Sequence, residues 1–221
     1  NEEFRSIISP GSTINENYRQ SSIAVNLNID ELTSEFNSKV LLSGQFSTLT
    51  RGVYQHDRWD KTINNLYGKK VWEIDSGIVV KISEVKLLSD EFPFKVNVNA
   101  SYTSNNILKK DGEKLVLNLE NWFNHIIYNN FSSKDRCLDF YPDFIGKDTY
   151  TYLLKFNKPV IIADSIKNID IVNDFGEFKF LVTIIDVKTI SISSYFVIKT
   201  DCVIKDKVNY AEEIYKAIGD L

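Results

Sequence analysis

The sequence predicts an all-β fold, mainly β with two short helices, built as two β-sandwich-like modules in series. The first observation is compositional: 26 Ile, 17 Val, 11 Thr and 28 aromatic residues stand against 5 Ala. Branched and aromatic side chains fit a pleated, half-buried surface, whereas Ala favours helices. The second is a recurring period-two alternation of apolar residues. The third is a polar, Asn- and Ser-rich stretch at 120–135 that separates the alternating segments into two groups. It reads as a domain boundary near 131–135.

Taken in order, residues 1–20 show no clean period, contain Pro10-Gly11, and read as a strap or linker. Ile23, Val25, Leu27 and Ile29 then alternate with Ser22, Ala24, Asn26 and Asn28, which predicts a strand with one buried face. A second strand is expected over 39–51, with Val40, Leu42, Phe46 and Thr48 on one face and a bulge at Gly44. Trp59, Ile63, Leu66 and Tyr67 follow at helical spacing, between Asp57 as N-cap and Gly68 as stop. Strands resume at Ile78–Ile82, at Val96–Tyr102 and at Leu115–Leu119, with Asp111-Gly112 as a hairpin turn between the last two.

Beyond the boundary, Tyr150, Tyr152, Leu154 and Phe156 mark one strand, and Phe178, Phe180, Val182 and Ile184 another. Leu181 and Ile185 make the latter apolar on both sides, which suggests a central strand covered on both faces. A further strand covers 194–203. The closing helix takes Asn209 as its cap, Glu212 at capping-box spacing, and Tyr210, Ile214, Ala217 and Ile218 as its apolar stripe. The expected organisation is a strap over 1–20, a first module with one inserted helix over 21–132, and a second module with the C-terminal helix over 133–221.

Charge and motifs exclude several functions. A net charge of −4 argues against a nucleic-acid partner, which calls for a basic excess. No apolar run approaches the roughly 18 residues of a membrane span. The chain opens at Asn1 and contains no Met, which reads as a processed or excised piece. No signal peptide is visible, and a removed one would leave the same chain.

Cys137 and Cys202 are the only thiols, and His56 and His125 the only imidazoles. A cysteine nucleophile needs an imidazole in reach and a third group to orient it. The surroundings of Cys137, Asp135-Arg136-Cys137-Leu138-Asp139, form no nucleophile turn, so no catalytic residue is assigned. A Cys137–Cys202 disulfide stays open, since two cysteines carry no framework pattern. No clustered soft ligands, calcium loop or glycine-rich phosphate cradle occurs, so neither metal nor cofactor is expected. Any two of the 30 acids can in principle meet as a glycosidase pair, but nothing singles one out. Phe140, Tyr141 and Phe144 around Pro142, with Trp122, are the candidate interaction surface for a sugar or partner protein. The alternative for these rings is core packing.

The order of elements resembles the region C-terminal to the catalytic core in transglutaminase-like envelope proteins of Bacteroidetes, those carrying the DUF3857 and DUF3858 modules. The strand Ser22–Asp30, the strand ending Leu49-Thr50-Arg51-Gly52 and the helix after it resemble the first part. Arg136 and Pro142, Tyr150–Phe156 followed by Pro159, Asp174-Phe175-Gly176-Glu177-Phe178, and Asn209-Tyr210 through Ile218 resemble the DUF3858 module. The chain departs from the family at Asp30-Glu31, where Asp-Gly is frequent, and at Pro159-Val160-Ile161, where Pro-Glu-Gly is frequent.

The resemblance implies a non-catalytic scaffold or interaction region of a periplasmic, cell-envelope or secreted protein. Its partner would be an adjacent transglutaminase-like domain of the same polypeptide, with an envelope protein or glycan as a further partner. The rival readings are a stand-alone glycan- or peptide-binding β-sandwich and an enzyme using carboxylates.

Overall fold

The computed structural model describes residues 13–55, 81–89, 91–119, 122–125, 131–134, 136–143, 145–162 and 168–221. Among them lie ten strands: β1 (Tyr18–Asn28), β2 (Thr33–Ser43), β3 (Lys81–Leu87), β4 (Lys95–Ser104), β5 (Leu108–Asp111), β6 (Lys114–Leu117), β7 (Gly146–Phe156), β8 (Ile169–Val172), β9 (Gly176–Asp186) and β10 (Thr189–Ile198). Two α-helices accompany them, α1 (Gln45–Gln55) and α2 (Asn209–Gly219). The all-β class holds. The helix expected over 57–67 lies outside the described residues.

Eight strands form one mixed sheet in the order β3-β4-β2-β1-β7-β10-β9-β8, and β5 and β6 form a separate hairpin. Each half of the large sheet is antiparallel. The halves join through one parallel pair, β1 with β7, in register from Tyr18↔Lys147 to Leu27↔Phe156. Their buried side chains form one cluster running from Ile23 to Ile218. The boundary expected near 131–135 therefore separates two half-sheets but not two cores. The reason is the edge: β1 and β7 each carry a row of backbone donors and acceptors that must be paired once buried, and each supplies the other's partners. The strap also ends earlier than expected, because Tyr18–Gln20 are the first residues of β1.

One face of the sheet is covered. Along β1, Arg19, Ser21, Ile23, Val25 and Leu27 are all buried while Gln20, Ser22 and Asn26 are exposed, the period-two reading made physical. β2 buries Phe36, Val40 and Leu42, β4 buries Val96, Val98, Ala100 and Tyr102, and β7 buries Tyr150, Tyr152 and Leu154. Trp122 packs onto the aromatic members of this set. Phe36 stacks on Tyr102 at 4.3 Å and meets Trp122 edge-on, and Trp122 lies 4.6 Å from Tyr152. On the other half, Tyr215 of α2 packs edge-on against Phe131, Phe175 and Phe196. Such ring pairs add about 0.5–1.5 kcal/mol each beyond their buried area.

Local expectations change as well, and the strand expected over 194–203 is β10, Thr189–Ile198. The strand expected to continue to 51 stops at Ser43, and Phe46 and Thr48 belong to α1. Gly44 makes the break: its φ is 60°, and an added Cβ would lie 2.7 Å from the Glu16 carbonyl. Asn17 Oδ1 then accepts the Gln45 N–H at 2.9 Å, so the helix start is capped by a residue distant in sequence. The Asp111-Gly112 turn joins β5 to β6 rather than β4 to β6, with Gly112 at φ 60° in the two-residue loop.

β9 is not covered on both faces. Its pairing with β8 ends at Phe180, so Leu181, Ile184 and Ile185 project with the hairpin and are exposed. Finally, Asn209 is the first residue of α2 rather than its cap, and Glu212 reaches Ser133 instead of forming a capping box. The helix buries Ala211, Ile214, Tyr215 and Ile218, so the stripe is rotated relative to the expected one.

Candidate functional site

Two of the four aromatic residues expected at an interaction surface, Trp122 and Phe140, belong to the core. Trp122 is 1% exposed and Phe140 is 6% exposed. Trp122 fills the space between Phe36 and Tyr152, and Phe140 pairs its backbone with Val203 while its ring meets Phe131. Tyr141 is 66% exposed. Phe144 lies outside the described residues, as does His56. Cys137 is exposed and Cys202 half-buried, and no disulfide joins them.

The structure instead gathers Arg19, His125, Asp148 and Ser194 beneath the covering layer, at the seam of the sheet. Three come from neighbouring strands at covered-face positions: Arg19 of β1 is level with Asp148 of β7, and Ser194 of β10 is level with Tyr150. His125 comes from the segment 122–125 that crosses above them. Arg19 Nε donates to Asp148 Oδ1 at 2.8 Å, and Arg19 Nη2 donates to Asp148 Oδ2, a fork geometry. His125 Nε2 lies 2.7 Å from Ser194 Oγ, a hydrogen bond. His125 Nδ1 lies 3.1 Å from Asp148 Oδ2, within ion-pair distance but without the alignment of a hydrogen bond.

The crossing segment is tied down along its length. Arg19 Nη2 donates to the Asn124 carbonyl at 2.6 Å, Tyr150 Oη donates to the same carbonyl at 2.9 Å, and Tyr152 Oη donates to the Trp122 carbonyl at 2.5 Å. The guanidinium lies 5.0 Å from the Tyr150 ring centre. Tyr150, Phe178 and Phe196 stand edge-on around the imidazole at 5.1, 6.1 and 5.8 Å.

Burial pushes the Asp148 carboxyl up, but Arg19 and His125 outweigh it, and the net direction is below the usual carboxylate range. Asp148 is therefore a buried carboxylate, matched by the guanidinium. Burial likewise raises the phenols of Tyr150 and Tyr152, so both remain neutral donors.

Serine, imidazole and carboxylate in this order have the connectivity of a hydrolytic triad. The surroundings differ from those of one. Ser194 is fully buried, and the His125 side chain is too. The carboxylate that would steady a developing imidazolium is already forked to Arg19. An attacking serine needs room for a carbonyl carbon and donors for its oxyanion. Here the rings of Tyr150, Phe178 and Phe196 close around the imidazole, and the serine is buried. What the four residues do is bind the covering segment to three adjacent strands, across the junction where the half-sheets meet.

Sequence reasoning weighed His125 as a partner for a cysteine and as a metal ligand, and assigned it neither role. A usable signal was present. Asp148 is in phase with Tyr150, Tyr152 and Leu154, and Arg19 is in phase with Ile23 and Val25. A charged residue at a core-facing strand position must find a partner, and these two find each other. The chain matches no family model, no curated protein and no solved structure.

Proposed function

We propose that the chain is a non-catalytic β scaffold and interaction region that accompanies a transglutaminase-like catalytic domain in a cell-envelope protein. The observation that carries the non-catalytic part is the enclosure of Ser194–His125–Asp148 with Arg19, which uses a potential relay as a cross-sheet clasp. Such a clasp ties the two half-sheets and the segment above them together, which suits a scaffold. The periplasmic or envelope setting and the catalytic neighbour rest on the quoted resemblance. Among the described residues no helix is long and apolar enough to cross a membrane.

Two measurements test this reading. A fluorophosphonate probe, which phosphonylates activated serines with loss of fluoride, should leave Ser194 unlabelled, and ester and amide substrates should not turn over. Stoichiometric labelling at Ser194, or turnover lost in Ser194→Ala, overturns the non-catalytic part. The gene upstream of Asn1 should encode a domain with Cys, His and Asp in the same reading frame. A reading frame without one overturns the scaffold part.

A further inference from the structure

We draw no further inference here: the strongest candidate, the apolar corner of the large sheet where Leu181, Ile184 and Ile185 of β9, Val187 of the turn after it and Ile161 lie exposed, carries none because nothing in the structure shows what covers it.

Discussion

The two halves of the large sheet follow one plan and are held in different ways. The half β3-β4-β2-β1 buries its own Phe36–Tyr102 stack beneath Trp122, with α1 packed beside it. The half β7-β10-β9-β8 is covered by α2 and the ring cluster of Phe131, Phe140, Phe175, Phe196 and Tyr215. Both covers are apolar. The join between the halves is not: at the β1–β7 seam the covered face carries Arg19 and Asp148 where hydrophobic residues would otherwise sit. Apolar packing is non-directional and tolerates substitution of similar volume. A forked ion pair is directional, and it favours one register of β1 against β7.

The comparison breaks most sharply at Asp148. Asp148→Ala leaves the Arg19 guanidinium buried without its carboxylate, at a cost of about 3–5 kcal/mol. Amide exchange in β4 and in β10 should accelerate together, because the seam serves both halves. Retained protection in β4 alone would show that the halves unfold as separate units. The double substitution Arg19→Met with Asp148→Leu should recover most of the loss, as an apolar replacement of a buried pair often does.

The same carboxylate sets an acid dependence. Its folded pKa is depressed, so its stabilisation is complete above the ordinary value of about 3.9 and is lost as pH falls below that. Asp148→Asn should remove this part of the acid sensitivity in pH-dependent melts.

Ile214→Ala comes next. Ile214 is fully buried on α2, and its truncation should cost about 2–5 kcal/mol. In a continuous sheet the melting midpoint of both halves should fall together. A fall confined to β7–β10 would favour separable units.

Ser194→Ala should cost about 1–3 kcal/mol, by stranding His125 Nε2 in the core. Faster exchange should centre on residues 122–125, with β9 pairing preserved.

The smallest effect is expected at Glu212. Its bonds from Ser133 hold the carboxyl below its usual range, so the contribution is present above the ordinary carboxylate pKa and vanishes as pH falls below it. Glu212→Gln should lower the melting point slightly at neutral pH, since solvent screens the group, and the difference should shrink as pH falls through the depressed folded pKa.

Much of this arrangement is legible in the chain. Alternation over Ile23–Leu27, Val96–Tyr102 and Tyr150–Leu154 identifies the strands and their buried faces, because the pleat turns sequence parity into sidedness. The C-terminal helix is visible in its spacing, although its cap is not: Asn209 has the right chemistry, yet Lys205–Lys207 form a 3-10 turn that leads into the helix first. The end of β2 illustrates the opposite case. Phe46 and Thr48 continue the alternation, but the Gly44 backbone and the distant Asn17 turn the chain into a helix.

For the interaction surface, ring content alone misleads, because Trp122 and Phe140 are as well suited to a core as to a ligand. Aromatic identity reports how much area a residue buries, not against what.

The sequence by itself determined the class of the fold and the buried faces of the strands that carry Ile23–Leu27, Val96–Tyr102 and Tyr150–Leu154. These are local properties, written in propensity and period. Only the tertiary structure decided that β1 pairs with β7, that Arg19 meets Asp148, and that His125 reaches Ser194. Those contacts join residues 69 to 129 positions apart. No local preference encodes them. They form because two open sheet edges and two buried charges each require a partner, and folding brings those partners within reach.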